Sequence, residues 1–222
     1  LTKFRLDPFP IWTYEIDGRE IERRVFMLHG SNTTACRWSV LDGEIKDMRL
    51  ILKPLLSFVD YHSLQREAEA RPFRYSTEPG RVVIGPVANG PELFLDHNAA
   101  AIADTGYWYR DFEYAIEAER GFDSTEDLFQ PFEMEFDLSV GPAVVFASSD
   151  SAARFDYDAA EAGEIKRRKE LIKKAGVRTE FEKQLVLAAD QFIVARGSGQ
   201  TVIAGYPWFS DWGRDTMIAL PG

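Results

Sequence analysis

The chain has 222 residues, of which 45 % are hydrophobic, so it can form one large or two small domains with a sizeable core. Its formal net charge is −10, which argues against nucleic-acid binding because phosphate groups require a positive surface. No run of residues is long and apolar enough for a transmembrane helix. The single cysteine, Cys36, excludes an intrachain disulfide and favours a reducing compartment, so we expect a cytoplasmic protein.

Residues 1 to about 150 alternate between strand-like runs and turn residues. Asp17-Gly18 and Pro79-Gly80 each separate two such runs and predict hairpins. Pro54 is expected to confine its own run to a sheet edge or a bulge, because proline lacks the amide donor. The predicted strands are 11–16, 20–28, 35–41, 48–59, 73–75, 81–84, 92–96, 107–119 and 132–138.

Two helices are predicted after this strand-rich region. Residues 158–175 are rich in Ala, Glu, Lys and Leu and stop at Gly176, and the basic run 166–169 is expected to form a solvated helix face. A second helix begins at Thr179, where Thr179-x-x-Glu182 forms a capping box. Its apolar residues include Ile193, so we expect it to span 180–195 and to be buried on more than one side.

The pattern therefore divides the chain at about residue 155. Many strands with turn signals and no long helix between them predict an antiparallel β-sandwich for residues 1–155. Residues 156–222 are predicted to form a linker helix and the beginning of a helical domain.

The segment Gly205–Gly222 combines residue types that suit a sugar ring. Trp208 and Trp212 offer flat apolar faces with an N–H donor. Arg214 offers a fork of donors and Asp215 two acceptors, which together can hold vicinal hydroxyl groups. An aromatic-rich loop with a structural Arg214–Asp215 ion pair is the alternative interpretation.

This segment resembles the start of the catalytic domain of glycogen debranching enzymes of the amylo-α-1,6-glucosidase type. The resemblance covers nearly the whole chain, because further segments occur in the expected order. These segments are 4–12 (FRLDPFPIW), 25–34 (VFMLHGSNTT), 52–64 (LKPLLSFVDYHSL) and 108–114 (WYRDFEY).

The resemblance implies an N-terminal β-sandwich followed by an (α/α)6 barrel that carries the active site. A barrel of twelve helices needs roughly 200 residues, whereas residues 158–222 provide 65. We therefore expect the chain to contain only the first helices of a truncated barrel. Because it begins at Leu1, we expect it to be cut at the front as well.

The implied reaction is hydrolysis of the α-1,6-linked glucose at branch points of glycogen, with inversion. Such hydrolysis needs one carboxyl group as general acid and another as general base. The resemblance places both on later helices, so we assign no catalytic residue to this chain. It makes Arg214 and Asp215 substrate anchors, with Trp208 and Trp212 as further candidates in the same subsite.

Other candidate residues are weaker. Tyr107, Trp108 and Tyr109 lie in an alternating strand, where cross-strand packing is favoured over stacking on glucan. The three histidines lack metal-ligand spacing, so we expect neither a metal site nor a cofactor. Asp111 and Glu113 share one strand face, which is more typical of a solvent-exposed surface than of a catalytic pair.

Three functional hypotheses remain open. The chain is part of a debranching glucosidase that acts on glycogen or a similar branched α-glucan and is inactive alone. It is, alternatively, a carbohydrate-binding or interaction module built on the sandwich, or a fragment of a glucoamylase- or trehalase-like glucosidase. If the residues after the sandwich were only a linker, they would not need Trp208, Trp212, Arg214 and Asp215 together. This combination favours the first hypothesis. We expect no nucleic-acid and no membrane partner.

Overall fold

The computed structural model describes residues 1–42, 46–70, 73–87, 90–150, 154–207 and 209–220. The chain forms two compact units, residues 1–157 and 158–222. The first unit is built of antiparallel strands, and the second combines helices with a small antiparallel sheet.

The strands of the first unit form a large and a small sheet. In chain order the strands are β1 (Lys3–Arg5), β2 (Ile11–Ile16), β3 (Arg19–Met27), β4 (Thr33–Asp42), β5 (Arg49–Leu52), β6 (Phe73–Glu78), β7 (Arg81–Pro86), β8 (Leu93–His97), β9 (Ala101–Glu113), β10 (Thr125–Asp137) and β11 (Ala143–Ser148). The large sheet has the strand order β1-β2-β3-β4-β11-β8-β7-β6, and the small sheet has the order β5-β10-β9.

Both predicted hairpins are confirmed. Asp17 and Gly18 join β2 to β3 with φ values of 51° and 72°, which fits the tight turn that matches strand twist. Gly80, with φ of 71°, joins β6 to β7. The strand predicted across Pro54 ends at Leu52, because proline cannot continue the ladder.

The two sheets share one hydrophobic core. The small sheet contributes Phe132, Met134 and Phe136 from β10, which are almost completely buried. The large sheet contributes Val82 and Ile84 from β7. Alternate residues of each strand therefore point between the sheets, as the predicted sandwich requires.

The β2-β3-β4 region carries a cross-strand ladder on one face. Arg23 of β3 is paired in register with Trp12 of β2 and with Trp38 of β4. Its guanidinium carbon lies 5.0 Å from the centre of the Trp12 ring and 5.8 Å from that of Trp38. These distances are those of cation–π contacts.

The opposite face of β3 holds a buried carboxylate. The side chain of Glu22 is 2 % exposed, and it accepts hydrogen bonds from Arg5 Nη2 at 2.7 Å and from Arg24 Nε. Burial raises the pKa of Glu22, but the hydrogen bonds from the two arginines outweigh it and hold this pKa below 4.5.

Two sequence expectations for the first unit were wrong. The strand predicted over 107–119 ends at Glu113, and helix α1 (Ala115–Glu119) follows it. Strand β11 was not predicted, although it lies in the middle of the large sheet between β4 and β8.

The second unit begins with two helices. They are α2 (Tyr157–Ala175), which starts one residue before the unit boundary, and α3 (Glu180–Asp190). The predicted capping box is confirmed: Thr179 Oγ1 accepts from the Glu182 amide at 3.2 Å, and Glu182 Oε2 accepts from the Thr179 amide at 2.9 Å. The prediction that this helix spans 180–195 was wrong, because α3 ends at Asp190 and Ile193 begins a strand.

That strand is part of a third sheet, followed by a short helix. The sheet has the order β12-β13-β14, with β12 (Ile193–Arg196), β13 (Gly199–Gly205) and β14 (Phe209–Asp211), and helix α4 (Gly213–Ala219) comes next. The beginning of an (α/α)6 barrel stays a prediction. In the described part of the chain, none of the helices is long and apolar enough to cross a membrane.

Candidate functional site

The third sheet supports the segment that the sequence singled out. Gly197, with φ of 57°, turns β12 into β13, and β13 pairs with β14 through Ile203 opposite Asp211 and Gly205 opposite Phe209. The segment is therefore not an open loop, as its composition indicated, but a strand followed by a helix.

Asp211 at the end of β14 joins three elements. Its carboxylate accepts hydrogen bonds from Arg196 Nη1 on β12 and from Thr201 Oγ1 on β13, the latter at 3.0 Å. Thr201 Oγ1 lies 3.3 Å from Thr216 Oγ1 on α4. Because Thr216 also donates to the Trp212 carbonyl at 3.1 Å, this chain of contacts fixes the start of α4 against the sheet.

The predicted anchors stand at the start of α4. Trp212 is its N-cap residue with an extended backbone, and its side chain is 62 % exposed. Arg214 and Asp215 follow in the first turn, where a carboxylate is favoured by the helix dipole. Three of the four predicted site residues are therefore brought to one end of one short helix, and Trp208 lies outside the described residues.

Arg214 and Asp215 form a loose ion pair. Arg214 Nε lies 3.5 Å from Asp215 Oδ2, and the Arg214 side chain is 75 % exposed. Oδ2 is itself shielded from solvent, yet no described residue gives it a hydrogen bond. A ligand cannot reach an oxygen that solvent does not reach, but the Asp215 side chain as a whole is 37 % exposed, so its carboxylate is open to a ligand hydroxyl group.

Exposed aromatic residues lie near the predicted anchors in sequence. Tyr206 and Phe209 are exposed, and the Tyr206 ring packs on Phe192 at 5.4 Å between centroids. Tyr206 also donates to the Gln191 carbonyl at 3.2 Å. The segment thus presents rings with a polar edge, which is the chemistry that a sugar ring requires.

The weaker candidates serve other purposes. Trp108 packs on Phe129 of the neighbouring strand at 5.0 Å, as cross-strand packing predicts, whereas Tyr107 and Tyr109 are exposed. Asp111 pairs with Arg66 at 3.2 Å rather than with Glu113. Among the described residues, none of the groups of histidine, cysteine, aspartate and glutamate is arranged to hold a metal ion.

The basic run on α2 was only partly a solvated face. Lys166 is well exposed, but Arg167 and Arg168 are largely buried and both contact Glu164 at 2.8 Å. Burial raises the pKa of Glu164, and the two arginines reverse that effect and lower it. The run is therefore mainly structural.

Comparison with known protein families gives two matches in different parts of the chain. Residues 1–145 match the family described as "Glycogen debranching enzyme N terminal". The chain belongs to the glycogen debranching enzyme family. Residues 187–222, which contain the third sheet and α4, match "Amylo-alpha-1,6-glucosidase". A comparison with curated proteins gave no match.

The second family match includes the residues that fix the start of α4. It begins in α3 and includes Asp211, Thr201 and Thr216 as well as the predicted anchors. Sequence reasoning gave no functional role to Asp211 or to the two threonines. The signal that pointed to them was the strand propensity of residues 199–205, which a helical interpretation of Ile193 obscured.

Proposed function

We propose that this chain supplies the N-terminal domain and the first part of the glucosidase domain of an inverting debranching enzyme. Its substrate is the α-1,6-linked glucose at branch points of a glycogen-like α-glucan. The single observation that carries the proposal is that the match to amylo-α-1,6-glucosidase includes the start of α4, where Trp212, Arg214 and Asp215 lie together.

In this proposal α4 holds the sugar and does not break the bond. The Asp215 carboxylate, whose side chain is 37 % exposed, accepts hydrogen bonds from hydroxyl groups of the terminal glucose. Arg214 donates to neighbouring hydroxyl oxygens. Trp212 packs its exposed ring on the apolar face of the sugar.

We assign the general acid and the general base to later helices of the same (α/α)6 barrel, of which α3 and α4 are early members. Inversion then places the two carboxyl groups on opposite sides of the scissile bond, with water activated by the base. On this proposal residues 1–222 alone release no glucose, and the enzyme works in the cytoplasm without a cofactor.

The test uses the complete reading frame that contains this chain. Proton NMR follows the anomer of the glucose first released from a branched limit dextrin. We expect β-glucose from the wild type and a loss of about a hundredfold or more in kcat/KM for Asp215→Asn, since a charged hydrogen bond to substrate contributes about 1.5–3 kcal/mol and Asp215 makes more than one.

The matched control is Asp190→Asn, which changes a carboxylate of α3 that pairs with Arg167 at 2.8 Å. It should retain kcat/KM within about twofold. Initial α-glucose would contradict inversion, and the absence of glucose release from the complete frame would favour the carbohydrate-binding module instead.

A further inference from the structure

Residues just after the segment 52–64 contact the segment 108–114 at one end of the small sheet. Both segments carry the family resemblance. Arg66 Nη1 lies 3.2 Å from Asp111 Oδ1, and Arg110 pairs with Glu67 at 2.5 Å. The function proposed for α4 uses neither segment.

Asp127 of β10 joins Glu67, which follows the first segment, to Asp111 in the second. Its Oδ2 accepts from the Glu67 amide and its Oδ1 from the Asp111 amide, both at 3.0 Å, and Arg66 Nη1 is 3.6 Å away. These two amide hydrogen bonds, together with the nearby arginines, lower the pKa of Asp127. The backbone at Glu67 and at Asp111 is therefore held by one carboxylate.

Gln65 provides a rigid floor beside this point. Its amide donates to Glu126 Oε1 at 3.1 Å, its Nε2 donates to the Asp127 carbonyl at 3.0 Å, and its carbonyl accepts from the Asp127 amide at 2.8 Å. Gln65 and Glu126 are buried. Because the polar floor is already satisfied, its geometry does not depend on a ligand.

A cleft of about 360 Å³ opens above this floor within residues 58–70. That volume lies within the range of small-molecule sites, roughly 300–1,000 Å³. Its wall combines the rings and aliphatic groups of Phe58, Val59 and Leu64 with the polar side chains of Asp60 and Arg66. Apolar surface with a few fixed polar groups is the composition of a ligand site.

The charges around the cleft exclude an anionic ligand. Asp60 and Glu69 line it, and the lining cation, Arg66, is already paired with Asp111 and Asp127. Phosphate or a polyanion would meet uncompensated carboxylates there. A neutral ligand with many hydroxyl groups meets acceptors without repulsion.

Asp60 and Tyr61 provide the means to hold such a ligand. Asp60 Oδ1 accepts from the amide of His62 at 3.0 Å and contacts its Nδ1 at 3.1 Å, and Oδ2 makes no hydrogen bond with the described residues. Tyr61 follows directly and is 59 % exposed, with its ring 4.0 Å from that of His62. Tyr61 does not itself line the cleft, but it is next in the chain to Asp60, which does, so an exposed ring follows a lining carboxylate.

We propose that this cleft of the first unit is a second carbohydrate site, which binds a segment of an α-glucan chain. Asp60 accepts hydrogen bonds from glucose hydroxyl groups, and Tyr61 packs on the apolar face of a neighbouring ring. The choice of α-glucan rests on the function proposed for α4. The site would hold the outer chain of the polymer independently of the branch point being cleaved.

The experiment measures retention of the complete protein in native gels that contain glycogen. Every variant carries Asp215→Asn, so that binding at α4 is weakened throughout, and mobility is normalised to a gel without glycogen. We expect Tyr61→Ala and Asp60→Ala each to weaken glycogen binding about tenfold, the equivalent of one charged hydrogen bond or one ring contact.

Tyr107→Ala is the matched control, because Tyr107 is an exposed tyrosine of the same unit at 61 % but belongs to β9, whereas Tyr61 directly follows Asp60 of the cleft wall. It should bind glycogen as the parent does. Equal weakening by Tyr107→Ala, or unchanged retention of both Tyr61→Ala and Asp60→Ala, would overturn the proposal. Near-ultraviolet circular dichroism verifies that each variant is folded. Because Tyr61→Ala and Asp60→Ala change different side chains, weaker binding by both points to the cleft.

The two proposals fail in different ways. If the wild type releases glucose from limit dextrin but retention does not depend on Tyr61, only the second site is wrong. If retention depends on Tyr61 but the complete frame releases no glucose, the debranching reaction is wrong and the glucan site stands.

Discussion

Asp211 and Thr201 are joined by a hydrogen bond of 3.0 Å that crosses from β14 to β13. With Arg196 as a second donor to the same carboxylate, this contact places the start of α4 on the sheet. The position of Arg214 and Asp215 therefore depends on a residue that does not itself belong to the predicted sugar site.

Asp211→Ala should loosen α4 without unfolding the protein. Thr201 and Arg196 lose their acceptor, which should cost about 1–2 kcal/mol locally because Arg196 is largely exposed and its pair is screened. Hydrogen exchange by mass spectrometry should then show amides of α4 exchanging about tenfold faster. The change should be confined to the third sheet and α4.

Two further variants make this test specific. Asp211→Asn keeps a carbonyl acceptor for Thr201 and should fall between Ala and the wild type. Glu180→Ala removes an exposed carboxylate of α3 that pairs only with Lys183 among the described contacts, and α4 should then exchange as in the wild type. Unchanged exchange in Asp211→Ala would mean that the contact does not hold α4.

Glu22 should make the stability of the first unit depend on pH. Because the folded pKa of Glu22 lies below 4.5, its stabilising contribution is complete above that pH and is lost as the pH falls through the folded pKa. Glu22→Gln should therefore lower the free energy of unfolding by about 1–3 kcal/mol at pH 7. The difference from the wild type should shrink below pH 4.5.

Urea unfolding followed by tryptophan fluorescence, at pH 7 and in acid, measures this difference. Glu20→Gln is the control, because Glu20 lies two residues away on the same face of β3 and is exposed. It should leave the urea midpoint unchanged at both pH values. A gap between Glu22→Gln and the wild type that stays constant into acid would show that the carboxylate charge is not the cause.

Arg167 should couple α2 to α3 through its planar guanidinium. Nε and Nη2 bind Glu164 at 3.0 and 2.8 Å, and Nη1 binds Asp190 at 2.8 Å. These hydrogen bonds raise the pKa of Arg167, the bond to Glu164 most strongly. Arg167→Lys cannot satisfy both partners with a single ammonium group, and amides of α3 should exchange about tenfold faster.

Lys166→Ala is the control for that substitution. Lys166 precedes Arg167 on the same helix but is 77 % exposed, and among the described residues it forms a surface pair with Glu170, which contributes little. Exchange in α3 should be unaffected. If Arg167→Lys also left α3 unchanged, the helices would be held by other contacts.

The parts of the fold that depend on local chemistry could be predicted from the sequence. Asp17-Gly18 specifies a hairpin because both residues accept positive φ, and Thr179 with Glu182 specifies a helix start because each satisfies the amide of the other. Pro54 predicts an edge strand or a bulge for an equally local reason, and β5 does lie at the edge of the small sheet.

The parts that depend on pairing with distant residues could not be predicted. Ile193 fits the apolar stripe of α3, but its pairing with Val202 makes it a strand residue. The role of Asp211 likewise requires Arg196 and Thr201, which come close only when β12, β13 and β14 align. Residue types at 205–222 indicated sugar chemistry, whereas the helix that orders them emerged only from the structure.

The ladder of Trp12, Arg23 and Trp38 has a consequence for how the large sheet avoids misalignment. Side chains alternate between faces, so a slip of β3 by one residue would replace Arg23 between the rings with Glu22 or Arg24. A slip in the direction that places Glu22 there would carry Glu22 away from Arg5 and would bring its carboxylate against the negative face of the indoles. Glu22 and Arg23, which lie on opposite faces of β3, thus both favour the native register between β2 and β3.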